Sequence, residues 1–463
     1  MKKMKKWFSV LLSAALVLSL VGCGGGKSET AQTGNNGGEK ASGEAKSDNA
    51  KSGEKPKIVI SCYPADEAGT QLRDEYYTKP IQAAFPDYDI SVEVFNDRQS
   101  LQVQVAGGGG PDILDLDGLS DVVEFARADR IVALDDYASK YGWNNMFYDW
   151  AYNSSFYDKK LYSLPTGYES MVIYYNNDVF NEHGWKIPTT ISEAEPLMED
   201  MVKNDVIPFS FGNSNYVGAV DWLYSTFMSG FSGPEVLKSA LEGKTPMTDE
   251  SVAGGIQLMA DWWQKGYIGD KASQSITGDD MIALFAQGKA AMMINGTWAA
   301  SSLISSYPDC NWSCATPFEM KEGVGPVLPI ASSGGYAINT NSKNPDVCAE
   351  ILNYLFTDMD RMEKGVVEAS YCPYPVKEFS IKQCEGKGMD ERLYNIYVTM
   401  EEAMAAGNVG YCSWTFFPAD ARAYMNENTD ALFLGSLSVE DYMTKVQEFV
   451  DAAVADGTAP TVP

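Results

Sequence analysis

The sequence predicts an α/β protein of two lobes, on three observations. Strands alternate with helices between residues 57 and 116, the second half of the chain is helix-rich, and 463 residues are enough for two cores. The first strand is Lys57-Ile58-Val59-Ile60-Ser61-Cys62, an apolar run ended by the turn signal Tyr63-Pro64. A helix-compatible segment follows over 71–85. Residues 89–95 then alternate, with Ile90, Val92 and Val94 in one phase, as a half-buried strand does. Residues 99–106 read as a second helix, Gly107 to Gly110 as a turn and 112–116 as a third strand. This spacing implies βαβ units and a mostly parallel sheet, whose ligands sit beyond the C-terminal strand ends. Those ends are 61–66, Asn96-Asp97 and 115–117. The four glycines are not a phosphate loop, because no Lys-Ser/Thr follows and Pro111 closes the run.

Further on, 251–267 carries Ile256, Met259, Trp262 and Trp263 at helical spacing, which makes the tryptophan pair a packing feature. Residues 279–287 form another helix, 289–295 and 335–339 compact apolar strands. The segments 345–356, 391–406, 418–434 and 439–454 read as helices with one apolar face.

The first 56 residues obey different rules. Lys2, Lys3, Lys5 and Lys6 precede an apolar stretch over 7–21, about 15 residues and so short of the roughly 20 that span a bilayer. Leu20-Val21-Gly22-Cys23 resembles the bacterial lipobox, in which the cysteine is acylated and becomes the new N-terminus. Residues 1–22 are therefore expected to be a lipoprotein signal peptide, with Cys23 lipidated. From 24 to 56 there is no aromatic or large aliphatic residue, so 23–56 is expected to be a lipidated cysteine and a disordered tether. The expected location is the extracytoplasmic face of the cell membrane. A leash of this kind indicates place, not chemistry.

Charge narrows the partners. Thirty-five Lys and Arg face 63 Asp and Glu, a net charge of −28, which disfavours nucleic acid and makes the lipid, not surface charge, the membrane attachment. The single histidine, His183, rules out a His-rich metal centre. With Cys23 set aside, seven cysteines remain, an odd number. Cys310 and Cys314 flank Asn311-Trp312-Ser313 as a local disulfide or a coincidence, and the other five lack zinc-type spacing. No metal or cofactor is expected. GxSxG, HExxH and P-loop motifs are absent.

Four stretches, in order, carry a family resemblance. The first is Gly107-Gly108-Gly109-Gly110-Pro111-Asp112-Ile113-Leu114 with Ile131-Val132-Ala133-Leu134-Asp135-Asp136-Tyr137. The second is Leu161-Tyr162-Ser163-Leu164-Pro165, then Ile173-Tyr174-Tyr175-Asn176-Asn177-Asp178-Val179-Phe180 and Gly184-Trp185. Phe285 to Trp298, reading FAQGKAAMMINGTW, is the third; Gly334-Gly335-Tyr336-Ala337-Ile338 and Ser342-Lys343-Asn344-Pro345 are the fourth. Together they resemble the extracellular solute-binding proteins of ABC importers, in the family of maltose-binding protein that serves sugar uptake.

The resemblance implies a two-lobed type II periplasmic-binding-protein-like clamp with a ligand cleft between the lobes, closing about a hinge. Lobe one would comprise 57–166 plus 331–358, and lobe two 167–330 plus 359–463. The implied task is capture of a sugar or oligosaccharide by a monomer and delivery to ABC permease subunits with their ATPase, without turnover. Trp298 matches the family's stacking tryptophan, and Glu169 a position whose carboxylate bonds sugar hydroxyls, with Tyr168 beside it. Asp117 and Asn96 are candidates at strand ends, Tyr63 and Asp66 after the first strand. Tyr216, Asp221 and Trp222 should lie at a loop and helix start of lobe two. Gly335 and Tyr336 fall at the hinge return, and Trp414 in an aromatic turn that often supplies another plate. Where family members often place a tryptophan at the third strand end, this chain has Asp115-Leu116-Asp117, so no plate is expected there. An acid-rich cleft would suit a neutral sugar or polyol and disfavour a uronate. Alternatives are the same clamp holding a peptide, polyol or glycerophosphodiester, and a lipid-anchored glycoside hydrolase.

Overall fold

The structure, a computed structural model, describes residues 55–64, 67–95 and 98–463, without the side chains of Ala68, Arg98 and Gln99. The expected signal peptide, Cys23, nearly all of the tether, Asp66 and Asn96 lie outside the described residues.

Two sheets organise the chain. In the first the strand order is Asp89–Val94, Lys57–Cys62, Ile113–Leu116, Gly335–Ile338, Leu164–Pro165. The first three run parallel, as the alternation of strands and helices requires, and the last two are added antiparallel to their neighbours. Ile58, Ile60 and Ile113 are fully buried in it. The second sheet has the order Val409–Tyr411, Leu328–Ser332, Tyr168–Asn176, Ala290–Gly296, Ile207–Ser210, with Trp312–Ala315 paired to the far half of the long strand. All nine residues of Tyr168–Asn176 are buried, the mark of a central strand covered on both faces.

Two short links join the sheets. Thr166-Gly167 runs from Leu164–Pro165 into Tyr168–Asn176, and Ser333-Gly334 from Leu328–Ser332 back into Gly335–Ile338. The links pair with each other: Thr166 N donates to Gly334 O at 3.1 Å and Ser333 N to Gly167 O at 2.9 Å.

The expected helices form at Gly278–Ala286, Pro345–Leu355, Glu391–Ala406, Ala419–Phe433 and Val439–Asp456. Glu250–Gln264 buries Trp262 between Phe209, stacked at 6.0 Å, and Phe227, and stacks Trp263 on Phe433 at 5.2 Å, so the pair is indeed packing. The segment expected as one helix over 71–85 is three pieces, Glu67–Arg73, a π-turn Asp74–Thr78 and Lys79–Ala84. Helix Met359–Ala369 packs against the first two of these. His183 stacks on Trp185 at 4.2 Å, away from the cavity described below. The seven described cysteines are all free, Cys310 and Cys314 included. Among the described residues no helix is long and apolar enough to cross a membrane, and no group of three His, Cys, Asp or Glu side chains could hold a metal ion.

Candidate functional site

A cavity of about 1030 Å³ opens where the strand ends of the first sheet meet the second-sheet lobe. Ser61 to Pro64 and Asp115 line it from the ends of two parallel strands, as the switch-point rule demands. Gly167 and Ser333 of the two links form its back, and the helix opened by Trp298 forms the facing wall.

Trp298 directly follows the strand Ala290–Gly296 and Thr297, and its ring folds back over the strand's last residue. A Cβ on Gly296 would lie 1.9 Å from that ring, so only glycine fits there. Its half-buried ring packs edge-on to Trp414 at 6.2 Å and to Trp222 at 5.8 Å, and Trp222 in turn meets Tyr216 at 6.4 Å. The aromatic row therefore runs from the rim at Tyr216, 46% exposed, to the buried Trp414.

Glu169 is 7% exposed on the second residue of the long strand. Its Oε1 accepts from Trp414 Nε1 at 3.1 Å, and Cys372 Sγ, on the cavity wall, lies 3.9 Å from Oε2. Burial, helped by the nearby Asp117, lifts its carboxyl to about 8, against the opposing pull of those donors. Asp115 is likewise pushed up to about 7, first by burial and then by Asp117. Both shifts favour the protonated form near neutral pH, so Asp115 on the cavity wall and Glu169 behind it carry less negative charge than their composition suggests.

Asp117 ties the lobes at the rim. Its Oδ2 accepts from Tyr216 Oη and from Arg422 Nη2, each at 3.2 Å. Arg422 is anchored more firmly on Asp221, through Nε at 3.0 Å and Nη2 at 2.7 Å.

Of the expected site residues, Tyr63, Trp298 and Tyr336 line the cavity. Glu169 and Trp414 stand one layer behind it, while Asp117, Tyr216 and Trp222 cluster at its rim. Three others are placed elsewhere. Tyr168 is fully buried on the opposite face of the strand from Glu169, because successive strand residues alternate, and its hydroxyl donates to Glu401 at 3.0 Å. Asp221 is 1% exposed, and Arg422, Ser413, Tyr224 and Asn426 occupy its oxygens, so it is the counter-ion of a buried pair. Gly335 sits inside its ladder, where a Cβ would meet Ser163 Oγ at 2.8 Å; its glycine serves that close packing, not an approach of backbone to ligand.

Sequence reasoning missed Tyr77, Tyr371, Cys372 and Tyr374, together with the hydroxyl row Ser301, Ser302, Ser305 and Ser306. The serines recur at helical spacing just after Trp298, a signal that was available. Tyr371-Cys372-Pro373-Tyr374 lies in an irregular stretch with no periodicity to read.

Two sheets joined by a paired double link, with a cavity lined from both sides, define a ligand-binding clamp, as in the solved two-domain solute-binding proteins. The chain belongs to the bacterial extracellular solute-binding proteins, whose family profile matches residues 68–362. It is 25% identical over 366 residues to the galactooligosaccharide-binding protein of Bacillus subtilis (strain 168), covering 77% of each chain. With the maltodextrin-binding protein MdxE of the same strain it shares 20% over 375 residues, again 77% of each. Among solved structures, a chitin oligosaccharide binding protein superposes with a TM-score of 0.70 at 21% identity, covering 87% of this chain and 99% of the other.

Proposed function

We propose that this chain is the substrate-binding lipoprotein of an ABC importer, held outside the cell membrane through Cys23, and that it captures a neutral sugar or oligosaccharide and hands it to a permease. The observation that carries the reading is the make-up of one cavity: Trp298 lines it as an indole plate, edge-on to the Trp414 that holds Glu169 behind the wall, and Asp115 with the hydroxyls of Ser301, Ser302, Ser305 and Ser306 line it beside that plate. Sugars present an apolar ring face and a rim of hydroxyls, and this wall offers a partner for each. About 1030 Å³ is at the top of the usual small-molecule range of about 300–1,000 Å³, which suits more than one sugar ring. The relatives named for galactooligosaccharide, maltodextrin and chitin oligosaccharide support the same class.

In this reading the protein acts as a monomer and without catalysis. Ligand contacts to both lobes stabilise the closed clamp by their differential affinity. Lobe one comprises 57–166 plus 331–358 and lobe two 167–330 plus 359–463, with Met359–Ala369 riding on the helices of lobe one. The test is a thermal-shift screen of residues 57–463 with mono- and oligosaccharides, amino acids, dipeptides and polyols. A sugar at about 100 times its Kd should add about 2.7 kcal/mol and emerge chemically unchanged. A shift only with a peptide or polyol would overturn the substrate class, and a cleaved glycan would overturn the binding-only role.

A further inference from the structure

Arg361 is a buried cation that no carboxylate meets. It is 5% exposed on the helix Met359–Ala369, and among the described residues no acid lies within ion-pairing distance, whereas the other deeply buried arginine, Arg422, has two. Removing a guanidinium from water is costly, so its neighbours must compensate. Nη2 donates to the Leu355 carbonyl, Nη1 donates to Tyr374 Oη at 3.2 Å, and the Tyr354 and Tyr374 rings lie 5.9 and 5.4 Å from the guanidinium carbon.

The direction of one of these bonds has a consequence for the cavity. A guanidinium has donors only, so Tyr374 Oη is the acceptor and must send its own hydrogen elsewhere. No hydrogen bond from that hydroxyl to any described group is formed, and Tyr374 lines the cavity. Tyr371, also on the cavity wall, has a buried hydroxyl with no partner among the described residues. A hydroxyl accepting from a cation is polarised into a stronger donor.

We propose that Arg361 is a positioning residue: from behind the wall it fixes the Tyr374 hydroxyl as a donor into the cavity, toward an acceptor oxygen of the bound sugar. The proposal rests on the sugar reading of the cavity and adds to it a polarity. This end of the site gives hydrogen bonds to the ligand, through Tyr374 and with Tyr371 beside it, and so takes a ring, glycosidic or hydroxyl oxygen by its lone pairs.

The experiment titrates maltotriose, β1,4-galactotriose and di-N-acetylchitobiose into wild type, Tyr374→Phe, Arg361→Lys, Arg361→Met and the Arg361→Met/Tyr374→Phe double variant, with a melting curve for each. For whichever of these sugars wild type binds, Tyr374→Phe and Arg361→Met should each raise Kd about tenfold. The double variant should be no weaker than the worse single, because both act through one bond. Arg361→Lys, which keeps the charge, should fall between, and it carries the test should Arg361→Met not fold. Affinity within twofold of wild type in Tyr374→Phe overturns the proposal alone. So does a lower melting temperature with undiminished binding in the Arg361 variants, or a double variant weakened about a hundredfold. Silence from wild type with these three sugars and with every sugar of the thermal-shift screen overturns the sugar reading, and this proposal with it.

Discussion

Trp414 splits its indole N–H between two acceptors, Glu169 Oε1 and the Ser332 carbonyl, both at 3.1 Å. One side chain thus holds the candidate ligand carboxyl and the end of the strand that leads into the second link. Glu169→Ala leaves the indole its carbonyl, so the fold should survive. Sugar affinity should fall about tenfold or more, with a smaller loss in Glu169→Gln, as measured by calorimetry.

The same carboxyl makes the ligand-free protein pH-sensitive. Glu169 titrates near 4.5 when unfolded and near 8 when folded. Between these values the folded state holds a proton that the unfolded state has released, so stability falls as pH rises through this window and is flat outside it. Asp115 adds the same sign between 3.8 and about 7. Each unit of separation is worth about 1.4 kcal/mol, an upper bound for a site beside a solvated cavity. Melting curves of Glu169→Gln across that window should show a shallower decline than wild type; an unchanged slope would refute the assignment.

Trp298→Ala removes the plate without opening the core, since the ring is only half-buried. The expected loss is roughly 1–2 kcal/mol of binding, or about tenfold, with little change in melting temperature. Calorimetry beside a melting curve separates the two effects.

Asp221→Ala should cost about 3–5 kcal/mol of folding stability, because Arg422 then stays buried with only the rim Asp117 as counter-ion. Asp117→Ala should cost far less, its side chain being 34% exposed. Urea unfolding of both variants gives the comparison.

Tyr168→Phe should leave sugar affinity unchanged within about twofold while costing about 1 kcal/mol of stability, the value of its bond to Glu401. A clear loss of binding would return Tyr168 to the site.

Tyr168 and Glu169 also show what a sequence does and does not reveal. The strands Lys57–Cys62, Asp89–Val94 and Ile113–Leu116 were legible, because short apolar runs alternate with helices and end in turn residues. Trp298 was legible because Asn295-Gly296-Thr297 closes a buried strand. In Tyr168–Asn176, however, both faces are buried, so the two-residue period has no polar side from which to tell the cavity face from the core face. Asp221 looked like a ligand group because its partner Arg422 is 201 residues away. Arg361 and Tyr374 carry no periodic signal at all; their pairing exists only once a helix end and an irregular loop are folded together.

The paired links Thr166-Gly167 and Ser333-Gly334 have a mechanical meaning. Two strands bridged by two hydrogen bonds behave as a leaf spring, compliant to flexing across its flat face and stiff to shear along its length. A Cβ on Gly167 would sit 3.0 Å from Cys372 Cβ, and one on Gly334 2.7 Å from the Leu116 carbonyl, so a bulkier residue at either point would act as a shim. In the proposed clamp, the stiffness of this double bridge is one of the terms that divide the grip between holding a ligand and bending the protein itself.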